Sequence, residues 1–323
     1  MKKLILISSA VAILFSACQK NALTTSNDGT ATVQRNCQSM EVLADQLKAD
    51  PTLESSMAAY EAAVQNNIKA IENGTAKFRL VNGVIEIPVV VNVLYKTTAE
   101  NVSLAQIQSQ IDVLNEDFNA TNSDYNKVPT TFSGVKASIG IRFVLDQVIR
   151  KSTTKSSWRT DDAMKKSSRG GINPTSPTTK LNMWVCTLSG GILGYAQFPG
   201  GSSATDGVVI LNTGFGRTGT AAAPYGLGRT ATHEVGHWLN LRHIWGDATC
   251  GSDLVSDTPT HNTANYGCPA VGHLSTCAGT PIEMWMNYMD YTYDACMYMF
   301  SSGQKTRVMA TFATGGPRNS FAQ

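Results

Sequence analysis

The run His233-Glu234-Val235-Gly236-His237-Trp238-Leu239-Asn240-Leu241-Arg242-His243 holds the densest chemistry in the chain. On a helix, residues four apart share a face, so His233 and His237 project together. Two imidazoles so placed can share a zinc ion at roughly 2.0–2.1 Å, and a third nitrogen ligand plus one water completes an open, catalytic tetrahedron. Glu234 lies beside the pair, placed to take a proton from that water. A bare His-Glu-x-x-His also arises by chance on ordinary helices; His243, six residues beyond His237, is what argues for a metal. A continuing helix would carry His243 away along its axis. The spacing therefore predicts a sharp turn after Leu239, with Asn240 in the left-handed region that Asn tolerates best among non-glycine residues.

Two other groups of residues could bind or react. Asp253-Leu254-Val255-Ser256-Asp257-Thr258-Pro259 offers carboxylate, carbonyl and hydroxyl oxygens in a tight loop, the ligand chemistry of Ca²⁺. The same residues would serve as turn caps without any metal. Of the seven cysteines, Cys250, Cys268, Cys277 and Cys296 follow the histidine run, and spacing alone permits three pairings among them. Cys186 reads as a buried thiol in an apolar run. Cys37 could pair with Cys186, stay unpaired, or serve as a thiolate ligand to a metal.

These residues need a scaffold. Met40, Leu43, Leu47, Leu53, Met57, Tyr60 and Val64 recur at helical spacing, with Asp50-Pro51 separating two helices and Asn73-Gly74 ending the second. Residues 84–95 form a β-rich run. Ser103 and Gln106 predict a capping box ahead of a helix that carries Ile107, Ile111, Leu114 and Phe118 on one face. Ile139, Ile141, Phe143 and Leu145 alternate as a strand, and residues 181–186 and 208–211 read as short strands. The Gly-rich stretch around Tyr195-Ala196-Gln197-Phe198 is either an edge strand or a surface loop. Composition changes near residues 75–80, where a helical segment gives way to an α/β one.

The chain has 323 residues, 42% of them hydrophobic, enough for one large core or two modest ones. A net charge of +2 gives no sign of a nucleic-acid partner. Lys2-Lys3, an apolar run over 4–15 and Ser16-Ala17-Cys18 read as a cleaved export signal, too short to span a membrane. The small residues before Cys18 resemble a bacterial lipoprotein signal, whose cysteine is lipidated and becomes the new N-terminus; Phe15 stands where such signals usually have Leu. Simple secretion is the alternative. Residues 19–34 are polar, suited to a flexible tether. Export implies an oxidising compartment in which disulfides persist.

The three-histidine spacing resembles that of the metzincin zinc peptidases. The continuation His243-Ile244-Trp245-Gly246-Asp247 is similar to the pappalysin family within them, with Asn240 where metzincins normally have Gly. Asn287-Tyr288-Met289-Asp290-Tyr291 matches the Met-turn that follows metzincin zinc motifs. The resemblance implies an α/β (α+β) metzincin-type zincin fold. Its parts would be a twisted, five-stranded, mostly parallel sheet, two long helices above the cleft, and an irregular lower subdomain stapled by Cys250–Cys277 and Cys268–Cys296. It further implies that Met289 forms an apolar floor beneath zinc, where a lone Met would otherwise be core. Tyr291 would hydrogen-bond the developing oxyanion, or else only brace the region below the site. The calcium ligands would be Asp253, the Val255 carbonyl, Asp257 and Thr258. The Gly-rich stretch would be an edge strand that binds extended peptide.

Arg35-Asn36-Cys37 resembles the start of pappalysin pro-segments, which makes Cys37 a candidate latency switch on zinc. Asp294, five residues after Met289, would line the pocket for the residue after the scissile bond and select Arg or Lys, unless it merely faces solvent. The organisation expected is a lipoprotein-type signal over 1–17, a tether over 18–34, a helical pro-segment over 35–78 and a metzincin catalytic domain over 79–323. Maturation is expected between Phe78 and Arg79 or between Ala76 and Lys77. The function expected is a zinc endopeptidase acting on protein or peptide substrates, located in the cell envelope or outside the cell, with a lipid anchor through Cys18. Two rivals stand beside it. One is a zinc peptidase of another clan whose third ligand is a downstream Glu, for which only Glu283 is available. The other is a catalytically silent surface lipoprotein, against which the intact Glu234 argues. Nothing in the sequence specifies an oligomeric state.

Overall fold

Ile85-Glu86-Ile87-Pro88-Val89-Val90-Val91-Asn92-Val93-Leu94-Tyr95 is buried over most of its length, as expected of a strand covered on both faces. In the computed structural model, which describes residues 34–322, it is strand β1 (Ile85–Tyr95). The expected signal, most of the tether and Cys18 lie outside the described residues. The other strands are β2 (Lys136–Ala137), β3 (Ile141–Ser152), β4 (Leu181–Cys186), β5 (Gly194–Ala196), β6 (Val208–Leu211) and β7 (Phe300–Ser301). Five of them form a sheet in the order β3-β1-β4-β6-β5, parallel throughout except for β5, the antiparallel edge. The Gly-rich stretch thus supplies an edge strand, while β2 and β7 pair separately.

Helices α1 (Ser39–Ala49) and α2 (Leu53–Glu72) break at Asp50-Pro51, as the sequence predicts. Helix α3 (Leu104–Phe118) sets Ile107, Ile111, Leu114 and Phe118 into the main core. Its capping box is only half formed. Ser103 Oγ accepts from the Gln106 amide at 3.1 Å, but the Gln106 side chain turns away and donates to the Phe215 carbonyl at 2.8 Å. That carbonyl lies in an irregular loop with no ladder partner, so tertiary need overrides the local cap. A complete capping box occurs instead at Ser301 and Gln304, where α5 (Ser302–Phe312) begins. On α3, Asn115 pairs with both the N–H and the C=O of Phe143, at 2.8 and 2.9 Å, and Asn119 donates to the Ile141 carbonyl at 2.8 Å. These side chains cover the start of the free edge of β3, at Ile141 and Phe143.

Helix α4 (Arg229–Trp238) lies against α3, β5 and β6. It is entirely buried and carries the histidine motif. Beyond it the chain turns at Asn240, whose φ of 71° is the left-handed conformation expected. Residues 240–299 contain little regular structure. They are held by the disulfides Cys250–Cys277 and Cys268–Cys296, each with Cα atoms 5.7 Å apart, so the expected pairing is the one formed. Cys37 and Cys186 are both free and buried, which rules out a bond between them in this structure.

Candidate zinc site and cleft

The three imidazoles of α4 and its following turn meet at one point. His237 Nε2 lies 3.2 Å from His233 Nε2 and 3.1 Å from His243 Nε2. Each opposite nitrogen is tied to an acceptor. His233 Nδ1 meets the Tyr288 carbonyl at 2.7 Å, His237 Nδ1 meets the Leu241 carbonyl at 2.8 Å, and His243 Nδ1 meets Asp247. A carbonyl oxygen can only accept, so the proton sits on Nδ1 and the Nε2 lone pairs all point inward. Nitrogen ligands on a tetrahedral zinc are about 3.3 Å apart, so the spacing fits that ion. Burial, then the neighbouring rings, hold the His233 pKa well below its ordinary value, and the same causes act on His237. Both rings are thus kept in the neutral form that a metal needs.

The floor of the site is the Met-turn. Met289 is fully buried and packs against Gly236; a Cβ at position 236 would overlap the Met289 sulfur. The same turn holds His233 through the Tyr288 carbonyl and the chain beside His243 through Ile244 N–H to the Met289 carbonyl, at 3.1 Å. Trp245 stacks on His243 with ring centroids 4.3 Å apart. Asp117, from α3, accepts from Tyr288 Oη and Thr232 Oγ1, both at 2.7 Å, and so joins α3, α4 and the Met-turn. Burial pushes its carboxyl up to about 6, against the lowering effect of Arg229.

Residues 35–38 run through the cleft as an extended strap beside β5, continued by Ser39 at the start of α1. Leu193 N–H donates to the Asn36 carbonyl at 2.9 Å and Gln38 N–H to the Gly194 carbonyl at 3.1 Å. Alternate side chains of an extended chain share a face, so Arg35 and Cys37 both point into the site; the chain turns at Gln38 (ψ 19°), and Ser39 reaches the site as the first residue of α1. Cys37 Sγ and the three imidazole nitrogens lie within 4.8 Å of one another. The thiol donates to Glu234 Oε2 at 3.3 Å, Ser39 Oγ donates to the same oxygen at 2.8 Å, and the Ala196 amide donates to Ser39 Oγ at 2.8 Å. Burial, then the Glu234 charge, push the Cys37 thiol well above its ordinary pKa, so a thiolate is stable here only against a cation. Burial also raises Glu234 to about 7, offset in part by the Ser39 and Cys37 hydrogen bonds. Tyr291 Oη donates to the Cys37 carbonyl at 3.1 Å.

Arg35 is buried against Asp294, its Nη2 2.6 Å from Oδ1, with further bonds to Thr230 Oγ1 and the Thr292 carbonyl. The other Asp294 oxygen accepts from the Leu227 and Arg229 amides at 2.9 and 3.2 Å, and the Tyr225 ring lies 4.8 Å from the guanidinium. Asp294 therefore does not face solvent. In the oxygen-rich loop, Thr258 Oγ1 meets both Asp253 oxygens, at 2.9 and 3.0 Å, and the Val255 carbonyl at 2.9 Å. The Asp257 carboxylate does not join them, contrary to expectation. It binds Ser301 Oγ at 2.6 Å and Gly303 N–H at 2.8 Å, because the free amides at the start of α5 attract an anion. Glu283, the alternative third ligand, takes Asn262 N–H and Asn265 Nδ2, both at 2.7 Å, and is not among the groups at the histidines.

Residues 181–313 match the peptidase family described as pregnancy-associated plasma protein-A. Extracellular metalloprotease 1 of Coccidioides posadasii is 34% identical over 254 residues, which span 75% of this chain and 81% of that protein. The chain belongs to the pappalysin family. Among solved structures, mature mirolysin of Tannerella forsythia in complex with a cleaved peptide is 45% identical, with a TM-score of 0.72 over 74% of this chain and 96% of that one. A promirolysin mutant from the same organism is 40% identical, with a TM-score of 0.80 over 89% of this chain and 97% of that one. This pappalysin is thus a metalloprotease of metzincin fold, and the reading as a silent binding lipoprotein gives way.

Several working parts do not stand out in the sequence. Asp247 carries a signal: a ligating histidine nearly always donates its second N–H to a carboxylate or carbonyl, and Asp247 closes the family's run. Ser39 carries no such signal, because it reaches Glu234 from the first turn of α1. Asp117 carries none. We expect Asp247→Ala to lower zinc affinity about 10- to 100-fold, measured by competition with a chelator; unchanged affinity would mean that Trp245 alone orients His243.

Proposed function

We propose that this pappalysin is an exported endopeptidase that cuts before Arg or Lys and is kept latent by residues 35–78. The observation that carries this reading is the strap itself. It puts a thiol at the three imidazoles, a hydroxyl on Glu234 and a guanidinium on Asp294, so every group that substrate would need is engaged. A carboxylate in a dry pocket, held by two backbone amides, suits a guanidinium in particular. The Arg35 guanidinium seated on Asp294 supports that reading. The cleaved peptide held by mature mirolysin supports the same cleft as a peptide site here.

His233, His237 and His243 would hold a zinc ion, which would supply the positive charge that polarises the scissile carbonyl and lowers the pKa of a water so that it can act as hydroxide. Glu234, freed of Ser39 and Cys37, takes the proton and delivers it to the leaving amine, so no covalent intermediate is needed. Tyr291, freed of the Cys37 carbonyl, supplies a hydroxyl to the oxyanion. The edge strand β5 accepts extended substrate where the strap now lies. Export as a lipoprotein through Cys18 follows from the leader alone, and the mass of the N-terminal peptide from envelope fractions tests it.

The Asp253 loop is proposed as a structural calcium site using Asp253, the Val255 carbonyl and Thr258. Asp253 is buried, its carboxyl is pushed up to about 6 by that burial, and no Lys or Arg among the described residues pairs with it. Chelating calcium should lower the melting temperature while zinc stays bound; a melting temperature indifferent to calcium reduces the loop to a turn.

On a peptide library, the active enzyme should cut before Arg and Lys. Glu234→Ala should lose at least about a hundredfold in rate while keeping zinc, and Asp294→Ala should lose the basic preference selectively. A library cut without basic preference after the scissile bond would end the specificity assignment. Cys37→Ala in the full chain should shorten the lag before activity appears; an unaltered lag would leave the helices, not the thiol, as the block.

A further inference from the structure

Asn240 stands where a glycine would satisfy the turn, and its side chain has a use beyond φ. Asn240 Nδ2 lies 3.3 Å from Glu61 Oε2, and the Asn240 carbonyl accepts from Arg307 Nε at 2.9 Å. Arg307, on α5, grips Glu61 with both terminal nitrogens, at 2.8 and 2.7 Å. Its side chain is 2% exposed, and among the described residues Glu61 is the one carboxylate it pairs with. Burial raises the Glu61 pKa, but the Arg307 hydrogen bonds and charge outweigh that and hold it at about 2. One and a half turns further along α2, Asn67 Nδ2 donates to the Ala310 carbonyl at 2.9 Å, and Val64 between them is fully buried.

We infer that Arg307 and Asn240 form a carboxylate-binding dock beside the zinc-site turn, and that α2, seated there through Glu61, holds the cleaved segment 35–78 on the catalytic body without help from the cleft. The inference rests on the reading of 35–78 as a removable segment, not on peptidase activity. The strap and the dock share no side chain; between them Val42 packs in the cluster of Tyr195 and Val209, Leu43, Leu53 and Met57 pack against Phe198, and Gln46 Nε2 donates to Gln197 Oε1 at 3.3 Å. The strap at 35–39 fills the cleft, whereas Glu61, Val64 and Asn67 meet α5 and the Asn240 turn. The Arg307 guanidinium is withdrawn from water while the Glu61 carboxylate is only partly buried, and a bidentate pair of this kind is among the stronger polar contacts a surface can offer. Two linked attachments act together, because either one keeps the other at high effective concentration when it opens. Cutting the exposed linker therefore does not by itself free the cleft: the segment must lose its dock as well. A basic dock is left behind on the mature domain, matched to a helix that presents a carboxylate.

The test uses peptide release. The exported chain carrying Glu234→Ala, which cannot process itself, receives a site-specific protease sequence after Gly74. Arg35→Ala and Cys37→Ala are added to disable the strap. After cutting, the rate at which the N-terminal fragment leaves is followed by native mass spectrometry. The fragment should stay bound, and Glu61→Gln should speed its release by at least about tenfold, the scale of a lost charge-assisted bidentate bond. Asn240→Gly, which keeps the turn, should speed release by a smaller factor. Near-ultraviolet circular dichroism of each uncut chain checks folding. Immediate release from the strap-disabled chain, or release indifferent to Glu61→Gln, overturns the dock. Because Glu61 is absent from the mature domain, Glu61→Gln must yield mature enzyme identical to wild type, so failure of the dock and failure of the peptidase reading are read separately.

Discussion

Three imidazole lone pairs aimed at one another from 3.1–3.2 Å are a juxtaposition that nothing but a cation makes favourable. The rest of the molecule serves to hold them there. Their second nitrogens are pinned by two backbone carbonyls and one carboxylate, which fix the tautomer and orientation of each ring. The carbonyl on His233 comes from the Met-turn, and the Met-turn is fixed from beneath by Asp117 through Tyr288. The sheet and α3 thus act on the metal site through a short chain of buried hydrogen bonds. An unpaired group anywhere in that chain would carry its full desolvation cost.

Latency uses the same geometry. The strap needs little fold of its own, because an extended chain puts Arg35 and Cys37 on one face and the start of α1 brings Ser39 in beside them. Arg35 reaches the Asp294 carboxylate, while Cys37 and Ser39 converge on the same Glu234 oxygen, which needs a close spacing between strap and base. The close approach of β5 to the base is what sets that spacing. A Cβ at Gly194 would come within 2.9 Å of Glu234 Cγ and 2.8 Å of the Val209 carbonyl, so only glycine lets the edge strand, and with it the strap, lie this near.

Much of the site is legible in the order of its residues. The histidine spacing requires the turn at Asn240, and helical periodicity places α1, α2 and α3 to within a residue or two. Local rules go wrong where a distant element makes a stronger claim on the same group. Gln106 leaves its cap for a loop carbonyl, and Asp257 leaves the oxygen cluster for the amides of α5. Both are polar side chains with several possible partners, and the partner chosen depends on which buried backbone group would otherwise go unsatisfied.

What the sequence by itself determined is the metal chemistry: ligand types at helical spacing, a base between them and a turn-tolerant residue after them follow from the periodicity of the backbone. The tertiary structure alone decided what acts on that chemistry. Arg35 meets Asp294 across 259 positions, Arg307 meets Glu61 across 246, and Tyr288 meets Asp117 across 171. No local pattern encodes such pairs. They form because packing the sheet, α4 and α5 into one core brings those charges and hydroxyls together out of water, where each must find a partner.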